Sequence, residues 1–404
     1  MISLYKDYFY KRRYQDRLFK FPAELIDGAL VTEALIEAKV PIQLLPRQMV
    51  VAYSPSASST AAGFTHGVPG SSSLAGVTFL ADRRVRRALL QKHGVRVPEG
   101  ATFSYQSKLE VVKYIRRIGY PVVVKEAMAQ ELGERGIFAS NAQELDAAIA
   151  RLRVIDERHF SSQADYKNSA YAITGLLPTV TTQDGVELKN ERHRFLLEEK
   201  VPGDKVRLIV LHGSVACALR KSEGEGYHSY SLLKEPQRYQ AAVNQVMHAL
   251  PGITTLCIDV VVDDASGDKP EESCCIVEVN ERLHLHNVLF SSPWLAKKLA
   301  RQVVSIELGL QGERAFSSDL MFKRHIEIPC VAKGLVDSNG FIKEIDKIVS
   351  ENRVGSRISW KEVNALKGEV SFILKGGLSE ASYLLNSVSC GHGIAVRPMS
   401  IDVF

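Results

Sequence analysis

Residues Cys275–His286 read CIVEVNERLHLH. Strand alternation puts Glu278 and Asn280 on one face, with Ile276, Val277 and Val279 packing around them. A carboxylate on a sheet face away from water needs a partner. Two readings are open from this segment alone. One is a solvated edge strand, or a Glu paired with a nearby Lys. The other is a set of oxygen ligands for a hard ion such as Mg²⁺, which takes one or two carboxylates and fills its shell with phosphate and water. Upstream, the run CIDVVVDD holds Asp259. A hairpin across the polar turn ASGDKPEES sets Asp259 opposite that pair. Three oxygen ligands on adjacent strands, Asp259, Glu278 and Asn280, favour the metal.

Working outward, charged groups sit at the ends of apolar strands. Lys125 closes the run PVVVK and precedes a segment with Gly133 and Gly136. A Lys there is either a solvated residue with its stem on apolar surface or, beside a Gly loop offering backbone N–H groups, a phosphate ligand. Glu198 in FLLEEKVPG, Arg207 in KVRLIV and the neighbours Arg220 and Lys221 are, taken singly, either surface charges or site residues.

Helical spacing predicts helices over Glu24–Ala38, Thr78–His93, Asn141–Arg153, Glu235–Leu250 and Pro293–Leu308. Asn141 with Glu144 three residues on forms a capping box. The run PSASSTAAGFTHGVPGSSSLAG reads as a loop, and 156–194, with weak periodicity, as an insertion. After Ser317 the pattern restarts as strand, helix, strand, helix, strand, which predicts a separate small α+β domain.

A chain of 404 residues carries more than one domain. Its net charge of +5 is too small and dispersed to argue for nucleic acid, and no nucleic-acid module is legible. No apolar run reaches about 18 residues, so no membrane span is expected. The basic, aromatic N-terminal stretch lacks an apolar h-region and does not read as a secretory signal. The six Cys lack metal-ligand spacing and read as reduced packing residues of a cytoplasmic protein.

The order PVVVK, Gly loop, LLEEKVPG, VRLIV, CIDVVVDD and CIVEVN resembles the ATP-grasp superfamily. GSSSLAGVTFLADRRVRRALLQKHGVRVPEG and GDKVRLIVLHGSVACALRK look most like the ATP-grasp part of cyanophycin synthetase and related amino-acid or peptide ligases, over about residues 25 to 310. The resemblance implies ATP and Mg²⁺ as cofactors. It implies that Lys125 contacts the nucleotide phosphates and that the Gly133–Gly136 loop closes over them. Glu198 and the backbone from Glu199 to Val201 would form the adenine hinge, and Asp259, Glu278 and Asn280 would hold the metal. Arg220 or Lys221 would meet the γ-phosphate, and Arg207 would orient substrate or phosphate. His284 and His286 are either a structural pair or the groups that contact substrate and take the amine's proton. The family's usual Lys after the lead-in Asp is here Arg83. The ribose-binding acid falls one place early, at Asp204, with Lys205 in its place. Cyanophycin synthetase carries a second ligase domain with no counterpart here, so polymer synthesis is not expected.

The implied activity is ligation: a carboxylate is activated as an acyl phosphate and joined to an amine. The expected partners are small-molecule or short-peptide substrates and, by family habit, a second copy of the chain. A degenerate, nucleotide-binding regulator or scaffold is the alternative. HIEIPCVAKGLVDSNGFIKEID resembles the first strand and phosphate loop of acylphosphatase, with Ile342 where that family has its catalytic Arg and Trp360 near its Asn. The expected fold is α/β: an N-terminal substrate lobe (1–77), an ATP-grasp domain (78–316, insertion 155–194) and an inactive, ferredoxin-like sandwich (317–404).

Overall fold

The apolar runs that mark strands in the sequence pair antiparallel throughout, and helices fill the intervals between them. In chain order the elements are α1 (Ile26–Glu37), β1 (Ile42–Leu45), β2 (Met49–Tyr53), β3 (Ala61–Thr65), β4 (Val68–Pro69), α2 (Leu74–Ala81), α3 (Arg83–Lys92), β5 (Gly100–Ser104), α4 (Lys108–Ile118), β6 (Val122–Glu126), β7 (Ile137–Ala139) and α5 (Ala142–Ser161). Next come β8 (Val180–Thr181), β9 (Glu187–Leu188), β10 (Arg194–Glu199), β11 (Asp204–Leu211), β12 (Ser214–Lys221), β13 (Tyr230–Leu232), α6 (Gln240–Ala249), β14 (Thr255–Val262) and β15 (Cys275–Asn280). The remaining elements are α7 (Leu285–Ser291), α8 (Pro293–Leu308), β16 (Ile326–Lys333), α9 (Ser338–Glu351), β17 (Arg357–Asn364), β18 (Glu369–Gly376), α10 (Leu378–Ser389) and β19 (Ser400–Val403). The computed structural model describes residues 25–53, 61–127, 136–161, 180–181, 187–188, 194–222, 230–264, 273–310, 316, 326–351, 356–391 and 394–404. Gly133, the N-terminal stretch and most of the 155–194 insertion lie outside them. The architecture is mixed α/β with antiparallel sheets, as the sequence predicts. No helix of the described residues is long and apolar enough to cross a membrane. All six Cys are free thiols.

Contacts divide the chain into two compact units. Unit 1 comprises Met1–Ser71, Lys221–Lys234 and Arg282–Phe404; unit 2 comprises Ser72–Arg220 and Glu235–Glu281.

Unit 2 contains two antiparallel sheets. The first runs β5-β10-β6-β7. Its Phe195, Leu197, Val122 and Val124 pack under α4 and α5 with Val111, Ile115, Leu145 and Ala148. Period two then turns Lys125, paired with Leu196, and Glu198, paired with Val123, to the opposite face. The capping box at α5 is present: the Glu144 N–H donates to Asn141 Oδ1 at 2.9 Å, and Glu144 Oε2 accepts from the Ser140 N–H at 2.7 Å. The second sheet contains the order β12-β11-β14-β15. Every residue of β14 is buried, including Asp259, so β14 is an interior strand with both faces covered.

Unit 1 holds an eight-stranded sheet, β17-β18-β16-β19-β1-β2-β3-β4. Its C-terminal part follows the β-α-β-β-α-β succession expected of the ferredoxin-like sandwich. The sequence sets 1–77 and 317–404 apart as separate domains; here they share one sheet. Strand β1 pairs with β19, with Ile42 opposite Val403 and Leu44 opposite Ile401. Helix α10 is buried along its whole length. Its polar residues find partners: the Asn386 amide donates to Thr32 Oγ1 of α1 and to the Ser382 carbonyl, each at 2.9 Å.

Three local expectations change. Thr78–His93 is two helices, because Asp82 leaves helical geometry and caps α3 by accepting the Arg84 N–H at 2.9 Å. The Ser/Gly-rich run read as a loop contains β3 and β4, supported by pairing with β2. RISWKEVN forms the edge strand β17, whose largely exposed, polar residues hide the alternation of a buried face.

Candidate active site

Across the second sheet of unit 2, Arg207 stands opposite Asp259, and Asp259 opposite Glu278. Directly paired residues share a face, so the three charges lie side by side on interior strands. All three are buried. Arg207 grips Asp259 with two parallel bonds, Nε to Oδ1 at 2.7 Å and Nη2 to Oδ2 at 2.9 Å. Lys205 Nζ adds a contact to Oδ2 at 2.8 Å. Burial by itself would raise the Asp259 carboxyl, but Arg207 and Lys205 outweigh it and hold it well below the usual carboxylate range.

Glu278 is held from the other direction. Arg83, Arg86 and Arg87 fall at i, i+3 and i+4 on α3, hence on one helix face. Arg83 Nε lies 3.3 Å from Glu278 Oε2, and Arg86 Nη2 binds Oε1 closely. The first sheet contributes Lys125, whose Nζ lies 2.8 Å from Glu198 Oε2 and 3.7 Å from Glu278 Oε2, and donates to the Val277 carbonyl at 3.0 Å. Arg87 Nη1 closes on Glu198 Oε1 at 2.8 Å. Burial raises Glu278, but Arg83, Arg86 and Lys125 overcome it and bring its pKa down to about 2. Within unit 2, Lys125 thus joins the two sheets through a charged layer. A cavity of about 20 Å³ beside Arg83, Arg86, Glu198 and Glu278 has room for one water, so the charges compensate one another directly.

The structure therefore brings together Arg83, Lys125, Glu198, Arg207, Asp259 and Glu278. It adds Arg86 and Arg87, which the sequence reading passed over. Their signal was the helical spacing within RRVRRALL. Cations in the first turn of a helix oppose its macrodipole, and a run of them there marks a site with acidic partners. Gly136 lies against this layer: a Cβ would come within 2.2 Å of Val123 and 2.9 Å of Lys125, so only Gly lets the backbone approach. Asn280 stands opposite Cys257, two residues along from Glu278, with its amide nitrogen buried and unbonded.

Other candidates fall elsewhere. Asp204 pairs with Arg220 at 2.8 Å on the partly exposed end of β11 and β12. Glu199, pointing away from Glu198, accepts the Glu99 N–H at 2.9 Å. Val201 follows the end of β10, and the neighbouring Gly203 takes φ +127, a turn that also leaves no room for a Cβ. Lys221 and His286 belong to unit 1. There Asp27, absent from the sequence reading, holds His286: it accepts the backbone N–H at 3.3 Å and lies 3.8 Å from Nδ1. Burial raises the Asp27 carboxyl, yet His286 and His284 leave it below its ordinary value. The ring of His284 meets that of His286 edge-on at 5.5 Å.

The carboxylate and amide oxygens of Asp259, Glu278 and Asn280 are of the kind that holds a hard divalent ion, and here the two carboxylates are paired with cations. Both oxygens of Asp259 and both of Glu278 already accept from cationic groups, three of them guanidiniums that do not deprotonate. A divalent ion would have to displace buried arginines. Of the two readings of CIVEVN, the paired carboxylate is the one found, and it is buried. Magnesium coordination by Asp259, Glu278 and Asn280 stands as a proposal.

Comparison with known families matches residues 82–165 to the carbamoyl-phosphate synthase L chain, ATP binding domain. Similar solved structures include a RimK domain ATP-grasp protein from Sphaerobacter thermophilus (19% identity, 59% of this chain and 70% of that one, TM-score 0.38). They also include D-alanine–D-alanine ligase from Bacillus anthracis complexed with ATP (13%, 59% and 68%, 0.40), and the ATP-grasp ligase PsnB complexed with minimal precursor (16%, 58% and 62%, 0.37). No curated protein matches the chain. The chain is thus similar over residues 82–165, which carry Arg83, Arg86, Arg87, Lys125 and Gly136, to a domain described as ATP-binding.

Proposed function

We propose that this chain binds ATP in unit 2 and uses it to join a carboxylate to an amine, as an ATP-grasp ligase. The observation that carries the reading is the buried charged layer in which Lys125 and Glu198 of one antiparallel sheet meet Glu278, Asp259 and Arg207 of the other. The match of residues 82–165 to an ATP binding domain supports it.

In this reading the substrate carboxylate attacks the γ-phosphate, ADP leaves, and an amine then attacks the acyl carbon and expels phosphate. The chain's own groups do the electrostatic work. Fixed cations in a water-poor layer neutralise charge on the phosphates without reorganising during the reaction, and positioning of the reactants supplies much of the rest. Arg220 and Lys221 remain the candidates for the γ-phosphate, and His286, held by Asp27, for the amine's proton. Among ligases, cyanophycin synthetase and its relatives remain the proposed kin. The ferredoxin-like part of unit 1 is proposed to serve structure rather than hydrolysis. Ile342 supplies no guanidinium there, and Trp360 spends its indole N–H on Asp346 at 3.2 Å.

A second reading, a nucleotide-binding regulator or scaffold, is favoured by the engagement of both carboxylates with arginines. Phosphate release from ATP, screened over pairs of amino acids, dipeptides and polyamines with mass spectrometry of the active wells, separates the two. A pair-dependent product with the mass of both substrates less water supports the ligase. Nucleotide binding without turnover across the panel leaves the regulator.

A further inference from the structure

The first sheet of unit 2 has a second face. Lys125 and Glu198 point to one side of it, and α4 and α5 lie on the other. Between these helices runs a cavity of about 560 Å³. From α4 it takes Lys108, Val111, Val112, Ile115 and Arg116, the i, i+3, i+4, i+7 and i+8 positions of one helix face. From α5 it takes Leu145 and Ile149, and Phe195 of β10 lies on its floor. Helices side by side on a sheet ordinarily fill the space between them to interior density. Here α5 turns Ala142 and Ala150 to the gap, which are too small to fill it. Val112 and Tyr120 line the same space and are left 49% and 37% exposed.

The two ends of the cavity differ. β5 and β6 both pair antiparallel with β10 and so run the same way, and β7 runs against β6. α4 follows β5 and α5 follows β7 through short connections, so the two helices run in opposite directions. Lys108, the first residue of α4, therefore shares one end with Arg153, and the hydroxyl residues Ser104 and Ser107 lie beside it. At the other end Asp146 stands near Tyr120: burial and then the Asp146 charge raise the Tyr120 phenol. The space also selects for size. From Lys108 to Arg116 is about 12 Å along the helix, and a docked helix of that length, about 10 Å across, would need roughly 900 Å³. The volume instead lies within the range of small-molecule sites, which are apolar with a few placed polar groups.

We propose that this cavity is a binding site for a small amphipathic carboxylate, its aliphatic chain lying on Val111, Ile115, Leu145, Ile149 and Phe195 and its carboxylate meeting Lys108. Lys108 is exposed and carries its ammonium on a flexible stem that can follow the head of such a ligand. The site lies across the sheet from the charged layer, and it stands or falls independently of the nucleotide reading.

Calorimetric titration of the full chain with decanoate, below its micelle-forming concentration, tests it. The expected result is saturable binding at a single site that persists at saturating ATP. Decanol, with the same chain and no charge, should bind about tenfold or more weaker. Lys108→Glu places an acid in the first turn of α4, where it suits the helix dipole and spares the fold, and should weaken decanoate about tenfold or more. Ala150→Phe fills the cavity from the α5 side and should abolish binding. Should that variant unfold, Ala142→Leu makes the same test from the other end of the helix. Absence of saturable binding to the wild-type chain overturns the proposal. Unchanged affinity in the filled variant overturns it by placing the ligand elsewhere, and displacement by ATP does so by placing it in the charged layer. Decanol binding as tightly as decanoate, or unchanged affinity in Lys108→Glu, overturns the assignment of a carboxylate.

Discussion

Both units bury charge, and they do so differently. In unit 1, Glu33 and Glu37 of α1 face Lys297 and Arg301 of α8. Lys297 binds Glu33 closely and donates to Ser379 at 2.9 Å, and Arg301 meets Glu37 through bonds of 2.7 and 2.9 Å. Each helix spaces its pair four residues apart, so the two ion pairs stack in register along the helix contact. The set is balanced, two acids for two bases. In unit 2 the cations around Glu198, Asp259 and Glu278 come from α3, β6 and β11. A balanced pair network fixes the packing of helices. A charged layer drawn from one helix and two sheets ties distant elements of unit 2 together and can be reorganised by a charged ligand.

The largest expected effect comes from Glu278→Gln. It leaves three buried cations without their carboxylate and should cost unit 2 about 3 to 5 kcal/mol, together with ADP formation. Denaturant unfolding and an ADP assay measure both. Glu33→Gln strips a single cation and should spare the chemistry. Equal loss of activity in the two variants would end the contrast between the units.

Acid should act on the two sets with opposite sign. The folded pKa of Glu278 lies below its ordinary 4.5, at about 2. Its stabilisation is full above about pH 4.5 and disappears as pH falls toward 2, a loss of roughly 3 kcal/mol. Glu37 is raised instead, by burial against the pull of Arg301. Its ionisation therefore opposes folding, and stability is gained as pH falls through its folded value toward 4.5. Hydrogen exchange resolved by unit across this range should show unit 1 holding where unit 2 opens. Both units opening together below pH 4.5 would show that these carboxyls do not set local stability.

The smallest effect belongs to an apolar exchange. Glu33→Met with Lys297→Met should be neutral or stabilising within about 1 to 4 kcal/mol, since a buried pair replaced whole gives back its desolvation cost. The matching exchange in unit 2, Asp259→Leu with Arg207→Met, should fold comparably and lose ATP binding. ATP binding retained by that variant would make the layer structural only.

Much of this was legible in the chain. Period-two runs gave β6, β10, β11, β14 and β15, and helical spacing gave α8 with its observed bounds, because such patterns record local geometry. Asp259 opposite Glu278 followed from a hairpin, the shortest-range tertiary contact in a sheet. The edge strand β17 escaped notice because its exposed face carries no apolar alternation. By itself, then, the sequence determined most of the strands and helices, the acids on β14 and β15, and Arg83 at the start of α3. Only the tertiary structure decided who meets whom. It joined β1 to β19 across the length of the chain, and it gave Glu278 to Arg83 and Arg86. Periodicity is set by neighbours a few residues apart, whereas the partner of a buried charge is chosen by which distant element the fold packs against it.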